Sequence, residues 1–339
     1  MKKGPITIKD IARELNISAS TVSRALSDNP LVKTSTKEAV KALAEKYRYE
    51  PNYTALSLRS HKTSSIGIII PELVHEFFAL VLRGIEDYAY ANGYNVIICS
   101  THESYEREVI GAQALLSGKV DGLLACLSRN TDNFDHLRAF EERGVPLVLF
   151  DCTTEDIDTH KVIIDDFQAG HAATLHLIEA GCRHIAYLGG PNTLVINQER
   201  FKGYQAALKE NGIAFDPSLV EHCDTGNFED GLASSALILN RTSFDGVFAG
   251  TDMLAIGAVK NIKNSGLSIP QDVAVIGFSD WTISSVFEPS ISTIHQPGYE
   301  MGHKAAEMLI TQINDPANQE YETVVLQTEL VARDSTSRN

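Results

Sequence analysis

The chain has 339 residues, more than the ~250–300 that one hydrophobic core normally serves, so its length predicts two or three domains. A composition of 43% hydrophobic and 22% charged residues is that of a globular protein and excludes collagen-like, coiled-coil and largely disordered chains. No apolar run approaches the ~18 residues of a membrane span, and no apolar stretch follows the two N-terminal lysines. We therefore expect a cytoplasmic protein without a secretory signal.

Cysteine and histidine spacing gives no indication of a metal site. The five cysteines lie at least 26 residues apart and form no C-x-x-C motif, which predicts buried thiols rather than disulfides or a zinc site. The eleven histidines are scattered. His171 and His176 are five residues apart, not the four that place two ligands on one helical face. We expect no metal and no cofactor.

Charge is unevenly distributed along the chain. Residues 1–62 hold 12 lysines and arginines against 6 acidic residues, a net charge of +6. The remainder holds 17 against 38, a net charge of −21, so the whole chain carries −15. This change in composition predicts a domain boundary near residue 62. A basic head favours a polyanion as its partner, although many basic faces are merely solvated.

Three short helices are predicted in the basic head. Thr7 and Asp10 have the spacing of a capping box, and apolar residues then recur at helical spacing. Ser18 is a good N-cap for a second helix, and Ser35 with Glu38 begins a third. Two short helices joined by a three-residue turn, with a third helix closing the core, form the helix-turn-helix pattern.

The second helix exposes small hydroxyl groups and one arginine, and it has no acidic residue before Asp28. Such a surface fits a major groove, where arginine suits the two acceptors of guanine. An ordinary solvated helix would share this composition. The residues outside its apolar face are Ala19, Ser20, Thr21, Ser23 and Arg24.

A short helix after Pro51 would place Ala55 and Leu58 on one face. About nine residues make a marginal helix in water, so we expect it to be ordered only when docked. An apolar Leu58 beside a basic Arg59 is the combination that a minor-groove wedge requires.

The run from Thr7 to Ser60 resembles the DNA-binding head and hinge helix of the lac repressor/gal repressor family of bacterial transcription regulators. The signature is T-x-x-x-I-A, S-x-x-T-V-S-R-x-L and Y-x-P-N, and the resemblance continues to about residue 334. It implies a sequence-specific DNA-binding regulator and favours a repressor. By this resemblance Ala19 and Ser20 read operator bases, Thr21 and Arg24 contact phosphates or bases, and Leu58 intercalates. The other predicted DNA-binding residues are Thr7, Ser18, Ser23, Asn52, Ala55 and Arg59.

After residue 64 the chain alternates apolar strands with helices, which predicts parallel sheets covered on both faces. There are too many strands for one sheet, and a wide break near 151–165 predicts two lobes. The predicted strands are 65–71, 94–99, 120–127, 145–150, 162–164, 184–188, 220–223, 246–249 and 273–278. The predicted helices are 75–92, 104–117, 133–143, 168–180, 198–211, 229–240 and 253–265.

The family resemblance implies that this α/β body is like a periplasmic sugar-binding protein, with two doubly wound parallel sheets, three crossovers and a ligand in the cleft. It follows a small all-α helix-turn-helix head. We expect the head at 1–50, the hinge at 51–63 and the effector-binding body at 64–339. The N-lobe is then 64–164 with 294–324, and the C-lobe is 165–293 with 325–339. The tail lacks leucine heptads, so the tetramerising helix of some relatives is missing and a homodimer on a near-palindromic operator is expected.

Effector contacts are predicted at the carboxyl ends of the strands, where such folds bind ligands. Carried over from the family, the candidates include an aromatic pair, an aspartate, an arginine and a stacking aromatic. They are Leu73, Phe77, Phe78, Asp151, Arg200, Phe228, Thr251, Ser279, Asp280, Trp281 and Gln296. Carboxylate and guanidinium groups bridge neighbouring hydroxyls while aromatic faces cover C–H groups, so the set fits a polyol.

One position departs from the family pattern. Many relatives carry Asp directly after the strand that ends here at Phe278, but this chain has Ser279. Either Asp280 and Trp281 take over or the ligand differs from a simple hexose or pentose. The candidates also have plainer interpretations: Phe77 and Phe78 as core residues, Asp151 as a turn cap and Arg200 as a solvated helix residue.

We expect a sugar or sugar derivative as the effector, with a nucleobase or a protein partner as alternatives. A solute-binding protein or an enzyme on the same fold is a remote alternative. No dinucleotide-binding, P-loop or nucleophile-elbow motif occurs, so no enzymatic activity and no membrane partner are expected.

Overall fold

The computed structural model describes residues 6–47, 49, 62–317 and 320–338. It divides into two compact units, Met1–Thr63 and Ser64–Asn339. The predicted hinge residues Asn52, Ala55, Leu58 and Arg59 lie outside the described residues. Within the described part of the chain, no helix has the length and apolar character needed to cross a membrane.

The first unit contains the three predicted helices. They are α1 (Ile8–Glu14), α2 (Ala19–Leu26) and α3 (Thr34–Lys46). Each helix contributes its apolar stripe to one small core, whose buried members are Ile11, Ala12, Val22, Ala25 and Val40. The remaining faces are polar, as expected for helices that bury one side only.

The first lobe of the second unit is built on a six-stranded sheet with the order β11-β5-β4-β3-β1-β2. All the pairings in this sheet are parallel. Its central strands are apolar and buried, because helices cover both faces. The strands are β1 (Ser65–Ile70), β2 (Asn95–Ser100), β3 (Gly122–Ala125), β4 (Leu147–Phe150), β5 (His160–Ile164) and β11 (Thr323–Leu326). The helices are α4 (Glu76–Ala91), α5 (Tyr105–Ser117), α6 (Asp135–Glu141) and α12 (Gly298–Asn314).

The second lobe is built on a four-stranded parallel sheet with the order β7-β6-β8-β9. Its strands are β6 (Ile185–Gly189), β7 (Val220–His222), β8 (Gly246–Ala249) and β9 (Ala274–Ile276). Its helices are α7 (Asp166–Glu179), α8 (Val195–Glu210), α9 (Phe228–Arg241), α10 (Asp252–Asn264) and the short α11 (Thr282–Val286). The predicted architecture of two doubly wound parallel sheets is confirmed.

The two lobes are joined by three crossovers, at Asp165, at Gln296–Pro297 and between β11 and β12 (Glu329–Val331). Strand β10 (Thr293–His295) pairs antiparallel with β12, and a bridge links Ser279 to His295. Strand β10 therefore belongs with the second lobe, whereas β11 stays in the first sheet as far as Leu326. The second and third crossovers therefore lie two or three residues beyond the expected lobe boundaries at 293/294 and 324/325. The reason is that strand pairing within each lobe continues past those boundaries.

Two glycines bring α7 and α8 into backbone contact. A Cβ at Gly203 would lie 2.2 Å from the Phe167 carbonyl oxygen, and one at Gly170 would lie 2.3 Å from the Arg200 carbonyl oxygen. No side chain fits at such distances, so these helices approach more closely than ordinary packing allows. This approach fixes where Arg200 enters the body.

Gly203→Ala should therefore destabilise the body, because the added methyl group must push two helix backbones apart. We expect a loss of about 1–3 kcal/mol in the free energy of unfolding. Urea unfolding followed by circular dichroism measures it. Lys209→Ala on the exposed end of α8 is the matched control. Equal stability of the two variants would contradict the close approach.

Candidate functional site

The N-terminus of α2 is organised by hydroxyl groups. The Ser18 Oγ accepts a hydrogen bond from the Thr21 backbone N–H at 3.0 Å. It also lies 2.7 Å from the Ser20 Oγ and 2.8 Å from the Thr21 Oγ1. This capping network fixes the start of the helix and draws several donors and acceptors together on one exposed surface.

The rest of α2 separates an inner face from an outer face. Val22 and Ala25 are buried, whereas Ser20 and Arg24 are exposed and Ser23 is half-buried. The small Ala19 packs partly against the core of the head. The outer face is therefore a narrow polar strip with a guanidinium group in its last turn, the shape and chemistry that a major groove admits.

Thr7 begins α1 as predicted from the capping-box spacing. Its backbone N–H and its Oγ1 both donate to the Asp10 carboxylate, at 3.1 and 2.7 Å. Asp10 also accepts from Arg13 at 3.2 Å. The acidic group at this end of the head is thus held by its own helix.

In the second unit, a cavity of about 420 Å³ opens at the carboxyl ends of the strands. Its lining draws on both lobes, from Leu127–Arg129, Thr131, Phe134, 151–154 and 163–167 and from 193–196 and Glu199. The volume lies within the ~300–1,000 Å³ typical of small-molecule sites. A crevice at strand ends between two lobes is where doubly wound folds bind ligands.

Asp151 is the predicted effector residue that lines this cavity. It follows β4 with a φ of 56°, a left-handed conformation that Asp tolerates. Its Oδ2 accepts weak S–H hydrogen bonds from Cys126 at 3.8 Å and from Cys152 at 3.7 Å. Burial, helped by the nearby Asp166 charge and opposed by Arg200, raises its pKa to about 6.

Cys126 and Cys152 were not expected to meet, because 26 residues separate them. Their sulfur atoms and an Asp151 oxygen lie within 4.8 Å of one another. Two thiols and a carboxylate are donors that some metal ions accept. However, both thiols donate to the carboxylate, and burial raises the pKa of Cys126 well above its usual value. Neutral thiols are poor ligands, because the thiolate is the form that binds metal.

Arg200 is buried rather than solvated, with 5% of its surface exposed. Its Nε donates to the Asp166 Oδ1 at 2.7 Å, and its Nη1 donates to the Gly250 carbonyl at 3.1 Å. The guanidinium carbon lies 3.7 Å from the centre of the Phe278 ring. Asp166 lines the cavity, so this ion pair joins the cavity wall to the core of the second lobe.

A second group of predicted residues forms an aromatic cluster that does not line this cavity. Phe77 and Phe78 are buried on α4, with ring centroids 5.3 Å apart. His75 packs edge-on against Trp281 of the second lobe at 4.9 Å. Leu73, in the loop before α4, is 52% exposed.

The remaining predicted residues make polar contacts within the second lobe. The Ser279 Oγ donates to the Gln296 Oε1 at 2.7 Å. The Thr251 Oγ1 donates to the Gly226 carbonyl at 2.7 Å and caps α10. The half-buried Phe228 begins α9.

Asp280 is held by side chains of the second lobe. Its carboxylate accepts from the Arg333 Nη2 at 2.6 Å and lies 3.1 Å from the His295 Nδ1. It therefore ties β10 to the C-terminal tail. This pairing argues against the expectation that Asp280 replaces the missing hydroxyl acceptor after Phe278.

The four charged residues that line the cavity beside Asp151 were missed in the sequence: Arg129, Asp165, Asp166 and Glu199. The first three follow the ends of the strands predicted at 120–127 and 162–164. The rule that ligands bind beyond strand ends would have found them. Glu199 directly precedes Arg200 on α8 and has no separate signal.

Comparisons with known proteins match both units. Residues 7–52 match the family profile for bacterial regulatory proteins of the lacI family, and residues 174–336 match a periplasmic binding protein-like domain. The ribose operon repressor of Haemophilus influenzae is 34% identical over 332 residues, covering 97% of this chain and 98% of its own.

Two solved structures are also similar. A complex of the transcriptional regulator CelR with cellobiose has a TM-score of 0.75 and 29% identity, covering 97% of this chain and 99% of that one. The lac repressor dimer bound to operator and an anti-inducer has a TM-score of 0.87 over 98% of this chain and 99% of that one. At 24% identity, this second likeness supports the fold.

The raised pKa of Asp151 predicts a pH-dependent loss of folding stability. The folded state holds this proton up to about pH 6, whereas the ordinary pKa of an aspartate is 3.8, so the ionised carboxylate destabilises the folded body above that range. Asp151→Asn should raise the free energy of unfolding at about pH 7.5 by up to about 3 kcal/mol. The gain should shrink as the pH falls through 6 and vanish near 4.

Urea titrations across this pH range measure the effect, with the exposed Asp132→Asn as the control. The charged and titratable groups around Asp151 are Asp166, Arg200, Cys126 and Cys152, and all are left unchanged. A gain that does not depend on pH would contradict the electrostatic origin.

Proposed function

Because the chain belongs to the lacI family of bacterial regulatory proteins, we propose that it represses transcription from a near-palindromic operator under the control of a small effector. It is a sequence-specific DNA-binding transcriptional regulator that acts in the bacterial cytoplasm. The proposal assigns it no reaction to catalyse. Its work is to bind one polyanion and one small molecule and to couple the two.

The head supplies the DNA-binding surface in this proposal. The outer face of α2 enters the major groove, with Ser20 and Arg24 directed at base edges and Thr7 and Ser18 near the backbone. Two heads of a homodimer then reach half-sites about one helical turn apart, some ~34–36 Å. The basic head, with its charge of +6, supports this assignment.

The hinge is assigned by resemblance alone. Leu58 would part the central base step from the minor groove while Arg59 contacts the backbone. Asn52 and Ala55 complete the proposed hinge contacts. Parting the base step would bend the operator. The larger protein surface that the bent DNA contacts would then offset the free-energy cost of unstacking the bases.

The observation that carries the effector assignment is the cavity lined by Asp151 and by Asp166, which is the ion-pair partner of Arg200. The carboxylates of Asp151 and Asp166 line one space, and Arg200 holds Asp166 in place from behind. Carboxylates placed in this way are suited to accepting hydrogen bonds from ligand hydroxyls. The bound cellobiose of the similar CelR structure favours a sugar or sugar derivative. A nucleobase or a protein partner remains the second candidate.

Contacts between the lobes offer a route for the coupling. The Thr282 backbone N–H donates to the Glu76 carboxylate at 2.8 Å, and Arg129 donates to the Asp224 carbonyl. A ligand that closes the cleft strengthens such contacts and rotates one lobe against the other. The Ser64 N–H is bonded to Asp121 at 2.8 Å, so the first residue of the body follows the first lobe. A coupling of ~1–3 kcal/mol, about 5–150-fold in affinity, is ordinary for such a switch.

Arg24→Ala should weaken operator binding by about 1–3 kcal/mol and leave non-specific binding less affected, because a base-edge contact carries specificity. Fluorescence anisotropy on an operator recovered by selection from random duplexes measures both affinities. Arg13→Ala, on the exposed side of α1, is the control with the same loss of charge. Equal losses on operator and random duplex would remove Arg24 from base recognition.

Arg200→Ala should abolish the effector response while operator binding of the ligand-free protein survives. The effector is found first by a thermal-shift screen of sugars and nucleosides, in which a ligand at 100 times its Kd adds ~2.7 kcal/mol. Lys209→Ala, exposed near the end of the same helix, is the control. A variant that still folds and still responds would exclude Arg200 from the effector site.

A further inference from the structure

The cavity wall is acidic. Among the described residues that line it are the four carboxylates Asp151, Asp165, Asp166 and Glu199, against the single cation Arg129. Buried or partly buried charges are screened far less than charges in open solvent. The negative charge of the wall therefore attracts or repels any charged ligand that enters the cavity.

The one cation is already balanced. The Arg129 Nη2 lies 3.6 Å from the Glu103 Oε1, and its Nη1 donates to the Asp224 carbonyl. The Glu103 carboxylate also accepts the Arg129 backbone N–H at 2.8 Å. An anionic ligand that used the Nη groups would have to displace Glu103 or share it, and the Nε, which has no hydrogen-bond partner, is buried.

Three of the four carboxylates have partners that account for them. Asp166 pairs with Arg200 at 2.7 Å, and Glu199 pairs with Lys202 at 2.6 Å. The Asp165 Oδ1 caps α7 through the Gln168 N–H at 2.9 Å. Each is engaged within its own lobe.

Asp151 differs from these three. In the part of the chain that the structure describes, no lysine, arginine or histidine forms an ion pair with it, and the hydrogen bonds to its side chain come from two thiols. A thiol is a weak donor, so this carboxylate has unused acceptor capacity facing the cavity. A ligand that brings strong donors would satisfy it.

We propose that this cavity selects an uncharged or cationic, hydroxyl-rich ligand, such as a sugar or an amino sugar, and rejects phosphorylated and carboxylated ones. The proposal rests on the effector role given to the cavity above. It limits the possible effectors by their charge. Neither the fold nor the ability to bind a polyol determines that charge.

The physical reason lies in what each ligand brings to Asp151. Two neighbouring hydroxyls donate to both of its oxygens, and an ammonium group adds a favourable charge. A phosphate group adds about −1.5 to −2 charges near neutral pH and three acceptor oxygens, with no donor for Asp151. In the cavity, which partly excludes water, the phosphate group lies near carboxylates of the same charge. Such repulsion weakens the binding of anionic ligands.

The test is a matched panel on the full-length protein at about pH 7.5. It contains D-glucose, D-glucosamine and D-glucose 6-phosphate, with the corresponding galactose set that includes galacturonate, and ribose with ribose 5-phosphate. Isothermal titration follows each thermal-shift response. For each sugar set of which a member binds, we expect the neutral or amino sugar to bind at least about 10-fold more tightly than its anionic counterpart.

Asp151→Asn then separates charge from shape. It should weaken amino-sugar binding most, weaken the neutral sugar less and narrow the gap between the neutral sugar and its phosphate. Asp132→Asn removes an exposed acidic group outside the cavity lining and should leave the ranking unchanged.

An anionic sugar that binds as tightly as its neutral partner would overturn the inference, and so would a panel with no binding at all. Neither result would remove the effector role if a dialysable cell extract, or a neutral base such as hypoxanthine, still altered operator binding. Loss of that response as well would overturn both proposals. An unchanged ranking in Asp151→Asn would show that this carboxylate does not set the selectivity.

Discussion

The buried ion pair between Arg200 and Asp166 is the interaction on which the proposed effector cavity depends. It is made possible by Gly170 and Gly203, whose missing side chains let α7 and α8 touch. The pair spans the cavity wall and the second-lobe core, where the guanidinium group also lies over Phe278. Removing one partner of such a pair leaves an uncompensated buried charge and costs about 3–5 kcal/mol. A pair of this kind adds little net stability, so its value here is the orientation that it imposes on the wall.

Local capping signals helped to place some of the helix starts. Helices α9 and α10 begin with Asn227 and Thr251, whose side chains cap the first turn, and their predicted starts were right to within one residue. Helix α8 begins after Leu194, which provides no side-chain cap, and its start was predicted three residues late. A capping residue is one sequence signal for a helix start, and α8 offers none. The strands were easier, because continuous apolar runs in a parallel sheet need no cap.

The candidate site was only partly predictable, because its contacts join residues far apart in the chain. Arg200 meets a partner 34 residues away, and Asp280 meets Arg333 53 residues away. The meeting of Cys126 with Cys152 has the same origin, since they follow neighbouring strands β3 and β4. Periodicity reports which face of an element is buried, but not which distant side chain it will meet. The resemblance supplied Arg200 and Asp151, and the structure supplied Asp165, Asp166 and Glu199.

The charges of the two units divide the work between them. A body with a net charge of −21 is repelled by the phosphate backbone, so attraction to DNA is confined to the head and its charge of +6. Non-specific affinity grows with the number of phosphates that a protein neutralises. A small basic head limits that number, and specific contacts then form a larger share of the total binding. The cavity wall carries a negative charge, as does the rest of the body. One composition thus serves two purposes: it keeps the body away from nucleic acid, and it favours effectors that carry no negative charge.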